Sequence, residues 1–154
     1  MRTALSKSAD GVWQRAGRLS ARHWKALLTA VWLLARARYE HHRKPIKAVL
    51  ERFETTGSRS FATPVETQLV GWALNSAAAR VPWRSDCLLQ AMAGSMWLNR
   101  IERTYKLNIG VRKNATGGLE AHAWLTSGDL VVTGNLPDLK EFSPMPLENG
   151  ISRL

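Results

Sequence analysis

The chain of 154 residues contains a single cysteine, Cys87, and downstream of it a histidine, His122, in a segment of strand character. A thiolate is a strong nucleophile, and a histidine held beside a thiol can act as the base that generates it. A lone thiol followed by a histidine on a strand is therefore an order that predicts cysteine-dependent acyl chemistry. If the two side chains do not meet in the fold, little else in the sequence indicates catalysis.

The residues before Cys87 predict why its thiol would be reactive. Ser85 follows a break at residues 81–84 and is a favourable N-cap, so a helix carrying Cys87 is expected to begin there. Cys87 would then be the second helical residue, where unpaired N–H groups and the helix dipole favour a thiolate. The same N–H groups could bind the oxyanion of a tetrahedral intermediate. We expect the neighbouring Asp86 to face solvent.

Residues 119–125 alternate as a strand and place Glu120, His122 and Trp124 on one face. Trp83 and Trp124 each adjoin a candidate catalytic residue. Both are predicted to wall a substrate groove, whereas the other tryptophans are assigned mainly to the core.

A third group is needed to orient the histidine. If residues 127–128 form a two-residue hairpin turn, His122 lies opposite Thr133, and Asn135 becomes its diagonal neighbour. The amide oxygen of Asn135 could then hold the imidazole. Asp138 is the alternative if the following loop folds back.

The remaining pattern is helical first and extended last. It predicts helices over residues 21–39, 46–53, 65–80 and from Asp86 onward, and strands over 107–111, 119–125 and 129–133. The first helix is expected to bury a stripe formed by Trp24, Leu27, Val31 and Leu34. This order predicts an α+β fold in which N-terminal helices precede a nucleophile-bearing helix packed on a small antiparallel sheet. We divide the chain into a basic helical region, residues 1–63, and a catalytic core, residues 64–154, within one compact unit.

Charge is concentrated at the N-terminal end. Residues 1–60 hold 13 Lys/Arg and 4 Asp/Glu, or +9 of the net +10, and residues 61–154 supply the remaining +1. Such a region can bind an acidic protein, acidic lipid or nucleic acid, or can simply be a solvated face. No nucleic-acid-binding motif accompanies it. The lone cysteine excludes an internal disulfide and, with no secretory signal or membrane-length apolar run, predicts a cytoplasmic protein.

Several sequence blocks together resemble the lasso-peptide leader peptidases, which are transglutaminase-like cysteine proteases. The blocks are PWRSDCL at residues 82–88, LNIGV at 107–111, AHAWL at 121–125, VVTG at 131–134 and FSP at 142–144. The resemblance covers roughly residues 64–145. It rests on the order and spacing of all the blocks, because each alone is a weak signal. It implies a papain-like or transglutaminase-like fold.

The resemblance also implies roles and partners. Cys87 would be the nucleophile, His122 the general base and Asn135 the third member, at a place where the family usually has an aspartate. The substrate would be a precursor peptide whose leader is removed so that an ATP-dependent cyclase can close the macrolactam ring. Leader recognition would fall to a separate small protein, as in the split arrangement of the family. No cofactor, metal ion or nucleic acid is expected.

Two other functions fit the residues. A thiol-dependent acyltransferase or amidase would use the same cysteine with a different acceptor. A non-catalytic protein would use the basic helices to hold an acidic peptide or nucleic acid.

Overall fold

The computed structural model describes residues 20–43, 60–113 and 116–144. Three helices come first: α1 at Ala21–Arg43, α2 at Pro64–Ala78 and α3 at Cys87–Arg100. Four strands follow: β1 at Lys106–Lys113, β2 at Leu119–Ser127, β3 at Leu130–Thr133 and β4 at Ser143–Pro144, with a 3₁₀ turn at Leu139–Glu141 before β4. The predicted helix at residues 46–53 lies outside the described residues.

The sheet is antiparallel, with strand order β3-β2-β1-β4. One cluster of buried apolar side chains lies between the three helices and one face of this sheet, and its fully buried members include Leu33, Leu74, Met92, Leu98 and Leu125. The predicted α+β class, with the cysteine-bearing helix packed on a small antiparallel sheet, is confirmed. No helix within the described ranges combines the length and apolarity needed to cross a membrane.

Helix α1 begins after Ser20, as predicted, and continues four residues beyond Tyr39 to Arg43. The predicted buried stripe is wrong at Trp24 and Val31, which are exposed. The inner face is instead built mainly from small side chains, namely Ala26, Ala30 and Ala37 with Leu33 and Leu34. Alanine lets two helix backbones approach closely, so α1 packs on α2 and α3 through its small residues and turns larger ones outward.

Helix α2 starts at a complete capping box, one residue before the predicted start at residue 65. The Glu66 N–H donates to the Thr63 hydroxyl, and the Thr63 N–H donates to the Glu66 carboxylate, with Pro64 at the first helical position. Arg103, just after α3, donates to both oxygens of Glu66 at 2.8–3.2 Å. The hydrogen bonds from Arg103 and Thr63 lower the pKa of Glu66 from 4.5 to about 2.

The hairpin between β2 and β3 turns one residue later than predicted. Ser127 pairs with Leu130, so the turn is Gly128 and Asp129, and Gly128 has a φ of 58°. Ser127 stays in the strand because its buried hydroxyl donates to the Thr104 carbonyl at 2.6 Å and accepts from the Ala62 N–H at 2.8 Å. A register shift follows between Leu125 and Thr126. The predicted pairing of His122 with Thr133 is therefore wrong, because Thr133 lies opposite Leu125.

Strand β4 was not predicted. Its two residues pair with Gly110 and Val111 at the edge of the sheet. Pro144 has no backbone N–H to donate, and an edge strand tolerates this because it pairs on one side only. Residues 134–144 thus cross from β3, at one edge of the sheet, to β4 at the other. We call this segment the crossing segment.

Candidate active site

Cys87 is the first residue of α3 and is half-buried against the apolar core. The predicted N-cap, Ser85, is wrong, because the cap is Asp86, whose side chain accepts the Leu89 N–H at 3.1 Å. The longer arm of aspartate reaches the third helical N–H from this position, while the carbonyl of Ser85 accepts the side-chain amide of Gln90. Cys87 therefore lies one position closer to the helix start than expected.

The first turn of α3 offers donors beside the thiol. The side chain of Asp86 accepts the hydrogen bond of the Leu89 N–H. The N–H groups of Cys87 and Leu88 have no partner within the helix. Asp86 is exposed, as expected, so its charge is well solvated. The helix start can therefore stabilise negative charge on the Cys87 sulfur or on an oxygen bound next to it.

Two further polar atoms near Cys87 are buried without a hydrogen-bond partner among the described residues. They are the indole nitrogen Nε1 of Trp83 and the hydroxyl of Ser85. Buried polar groups are nearly always satisfied in a working protein, and these two lie four and two residues before the thiol.

The imidazole of His122 is held by a backbone carbonyl. Its Nε2 atom lies 2.8 Å from the carbonyl oxygen of Gly134. A carbonyl oxygen only accepts hydrogen bonds, so Nε2 carries the proton in this contact. In the neutral ring the lone pair is then on Nδ1, which makes Nδ1 the basic atom.

The conformation of Gly134 makes this contact possible. Its φ is 76°, in the left-handed region that disfavours side chains. A Cβ atom on Gly134 would lie 2.5 Å from the Ala123 carbonyl oxygen and 2.9 Å from the Trp124 backbone. Only glycine fits, and the chain approaches β2 closely where β3 no longer covers it.

Two aromatic rings fix the plane of His122. The Trp124 ring is stacked at 6.2 Å between centroids, and the Phe142 ring is tilted at 5.4 Å. Trp124 is only 9% exposed, and its ring fills the space above Gly110, the partner of His122 on β1. Its observed contacts are thus with the histidine and the sheet.

The two candidates for the third group both lie on the crossing segment. Asn135 is exposed, two residues beyond the end of β3. Asp138 forms an ion pair with Arg112, whose hydrogen bond holds the pKa of the Asp138 carboxyl below its usual value, and the charge of His122 acts in the same direction. Asp138 is therefore in electrostatic reach of the imidazole.

Arg112 ties the crossing segment to the sheet. Besides Asp138 it contacts Glu120 at 2.9 Å and Glu141 at 3.2 Å, and its guanidinium lies 4.5 Å from the Phe142 ring centroid. These contacts keep the ring of Phe142 beside His122 and Gly134 beside β2.

Cys87 and His122 each precede, along their own element, the point where α3 packs on β2. Gly94 of α3 packs on Leu125 of β2, where a Cβ on Gly94 would be 2.6 Å from the leucine side chain. The chain leaving α3 meets the far end of β2, so the helix and strand run in the same direction. Seven helical residues back to Cys87 span ~10 Å. Three strand residues back from Leu125 to His122 also span ~10 Å.

The two side chains start from different faces of β2. Cys87 packs against the core beneath the sheet, whereas His122 shares the outer face with Trp124 and Phe142. Strand β3 pairs with β2 only from Leu125 onward, which leaves the edge of β2 beside His122 uncovered by a strand. We propose that the thiol and the imidazole approach each other at that edge.

Sequence reasoning missed Gly134 and Arg112. Gly134 contributes its main-chain oxygen, which every residue type has, so the sequence does not mark this role. A glycine directly after a strand was nevertheless a signal for an unusual backbone conformation. Arg112 could have been found from the strand pairing, because it lies opposite Glu120 on the face of His122.

A family model described as the transglutaminase-like superfamily matches residues 24–146. Comparison with curated proteins and with solved structures gave no match. Proteins of this superfamily are typically thiol-dependent enzymes, which agrees with a cysteine at a helix start and a histidine on the adjoining sheet. Because the match covers most of the 154 residues, from α1 through β4, the chain belongs to the transglutaminase-like superfamily.

Proposed function

We propose that the protein is a cysteine peptidase that removes the leader from a lasso-peptide precursor. The observation that carries the enzymatic part is the hydrogen bond between His122 and the Gly134 carbonyl. Because that oxygen only accepts, we infer that Nε2 carries the proton and that Nδ1 is the basic atom available to a thiol at a helix start. A base with a defined free nitrogen and a thiol at a helix N-terminus are the two components of a nucleophilic acyl-transfer site.

In the proposed reaction, Nδ1 of His122 takes the proton from the Cys87 sulfur. The thiolate attacks the scissile carbonyl carbon, and the N–H groups at the start of α3 hold the resulting oxyanion. The imidazolium then gives its proton to the leaving amine as the C–N bond breaks, which releases the core peptide and leaves the leader as a thioester on Cys87. Water, deprotonated by Nδ1, attacks the thioester and frees the leader carboxylate together with the thiol.

The choice of substrate rests on the motif order between residues 82 and 144, which resembles the leader peptidases of lasso-peptide clusters. In the split arrangement of that family, a separate small protein recognises the leader in the precursor, and an ATP-dependent cyclase uses the newly exposed amino group. We propose the same partners here and a cytoplasmic location. Trp83 would border the peptide groove, and Trp124 would support His122.

The third group is proposed to be a side chain of the crossing segment acting together with the Gly134 carbonyl. Asn135 is the residue that the motif order indicates, and Asp138 is the residue whose charge reaches His122. Either side chain would favour the imidazolium that forms when Nδ1 takes the thiol proton.

The test is cleavage of the precursor, in the presence of its recognition protein, by the wild-type chain and by Cys87→Ala. We expect the variant to lose about 10⁴-fold or more in rate, because the nucleophile is removed, while it still binds the precursor. Leader release by purified Cys87→Ala would show that the thiol is not the nucleophile. Mass spectrometry of the leader distinguishes a free carboxylate, from hydrolysis, from an amide or ester, which would indicate an acyltransferase.

A further inference from the structure

The outward face of α1 carries large apolar side chains along its whole length. Leu28 is 68% exposed, Tyr39 57%, Trp32 50% and Trp24 44%, and Val31 is also exposed. At 100° per residue these five positions fall within an arc of roughly 100°. We call them the outer stripe. It lies opposite the alanine-rich face that packs into the core, so α1 has two apolar faces, of which the described residues cover only one.

Such a stripe is unusual on a soluble surface. Apolar residues scattered singly on a surface are normal, but a contiguous apolar strip on a helix about 34 Å long is the pattern of a binding face. Its members recur at intervals of three and four residues from Trp24 to Trp32, the spacing with which one helix packs against another.

The borders of the outer stripe are basic. On the helical wheel Lys25, Arg36 and Arg43 lie along one side and Arg38 along the other. The acidic residue of α1, Glu40, is buried and forms an ion pair with Arg36 at 3.2 Å, so it neutralises Arg36 and leaves the charges of Lys25, Arg38 and Arg43 on the border. A partner with acidic residues flanking an apolar strip complements this arrangement.

A recess interrupts the surface beside Trp32. It has a volume of about 500 Å³ and lies between α1 and the end of α3, lined among others by Trp32, Met96 and Tyr105. The guanidinium groups of Arg36 and Arg100 lie 5.6 and 5.9 Å from the Trp32 ring centroid. A recess between two helices can receive a protruding side chain of a protein partner, whereas the flat surface of a bilayer would leave it unfilled.

We propose that the outer stripe of α1 docks an amphipathic α-helix of another protein, one whose apolar strip is flanked by Asp and Glu. A second copy of this chain would bring two basic faces together and is disfavoured by charge. The other parts of the N-terminal region are basic too, since residues 1–19 and 44–59 each hold more Lys and Arg than Asp and Glu. The acidic helix therefore comes from a different chain.

The test uses the full chain and two fluorescein-labelled synthetic helical peptides. Both carry leucines at helix-packing spacing, flanked by glutamates in one peptide and by lysines in the other. We expect the glutamate peptide to bind and the lysine peptide not to bind. Leu28→Ser and Trp32→Ser should each raise Kd about tenfold, and added salt should weaken binding further.

Leu119→Ser is the matched control, because Leu119 is a leucine of similar exposure, 72%, on the sheet and away from α1. It should leave Kd unchanged. Equal loss in Leu119→Ser, equal binding of the lysine peptide, or no binding of the glutamate peptide would overturn the proposal. So would binding to vesicles containing phosphatidylglycerol in place of the peptide, or a wild-type dimer that Leu28→Ser converts to a monomer. None of these measurements depends on catalysis.

Discussion

The hydrogen bond from His122 to Gly134 has a direction set by chemistry alone. Since the carbonyl oxygen cannot donate, Nε2 carries the proton, and the ring is prepared to accept the next proton on Nδ1. The oxygen of a side-chain amide or carboxylate could accept the same hydrogen bond, but the position of a main-chain oxygen is fixed by the chain on both sides of it. This arrangement makes the orientation of the base a property of the strand end rather than of one side chain.

We predict that the reactivity of Cys87 depends on His122. A free cysteine has only a few per cent thiolate at neutral pH, whereas a cysteine paired with histidine is largely ionised. The His122→Ala variant should therefore react about tenfold more slowly with iodoacetamide at pH 7 than the wild type. The chain has no other cysteine, so labelling followed by mass spectrometry reports this thiol alone.

His23→Ala is the matched control for that experiment, because His23 is on α1, where its ring contacts Trp72. It should label at the wild-type rate. Equal labelling of wild type and His122→Ala would mean that thiol and imidazole do not meet at the edge of β2.

A second prediction concerns the third group. The charge of Asp138 reaches His122, while the His122 ring already has the Gly134 carbonyl as its partner. We expect Asp138→Asn to lower kcat about tenfold, because it removes a charge that favours the imidazolium, and Asn135→Ala to change kcat little. Cleavage rates under saturating precursor would check this. The reverse order of effects would assign the role to Asn135.

At the scale of secondary-structure elements, the crossing segment from Gly134 to Pro144 is the part that completes the site. It carries the carbonyl that holds His122, the Phe142 ring beside the imidazole, and Asp138. Arg112 fastens it to β1.

Gly134→Ala tests this dependence. A side chain at φ 76° is strained, and its Cβ would meet the Ala123 carbonyl oxygen at 2.5 Å. Gly117→Ala is the matched control, because its φ is 82° but nothing lies within 4 Å of the added Cβ. We expect Gly134→Ala to lower the free energy of unfolding by about 2 kcal/mol more than the control does, owing to overpacking.

The activity of the same two variants separates orientation from stability. At a temperature where both are folded, Gly134→Ala should cleave the precursor more slowly than Gly117→Ala, because the hydrogen bond to His122 is displaced. Equal rates in the two variants would contradict a role for this carbonyl in orienting the base.

The sequence was sufficient for most elements whose signals are local. The capping box at Thr63 and Glu66 and the alternation around His122 act within a few residues, so α2 and β2 were correctly located. The predicted position of the hairpin turn was wrong because hydrogen bonds to Ala62 and Thr104, which are distant in sequence, keep Ser127 in the strand. The later turn, together with the register shift that follows it, brings Thr133 opposite Leu125 in place of the expected His122.

The outer stripe shows a different kind of failure. Periodicity correctly indicated an amphipathic α1 but assigned the larger residues, such as Trp24 and Val31, to the core. The structure buries Ala26, Ala30 and Ala37 instead, because small side chains allow helices to pack closely. Hydrophobicity alone cannot say which of two apolar faces is turned inward.

At the scale of the whole molecule, Arg103 joins the start of α2 to the loop between α3 and β1. It reaches Glu66 and the hydroxyl of Ser60, so the helical layer and the entry to the sheet share one ion pair. This contact links stability to pH, because the carboxylate must stay ionised.

The sign follows from the pKa of Glu66, which is lowered from 4.5 to about 2. Its stabilising contribution is complete above pH 4.5 and is lost as pH falls toward about 2. We predict that the urea midpoint of the wild type falls more steeply between pH 5 and about 3 than that of Glu66→Gln. Asp129→Asn, at the exposed hairpin turn, should retain the wild-type slope, and identical slopes in all three would contradict the assignment.

The position of the crossing segment in the chain has a consequence for when activity arises during synthesis. Cys87 and the helices are made first, and Gly134 and Phe142 belong to the last elements described. A nascent chain that has folded its helices and first two strands therefore carries the thiol without a positioned base. Thiol-dependent activity would therefore begin only after residue 144 has been synthesised and the crossing segment has folded onto the sheet.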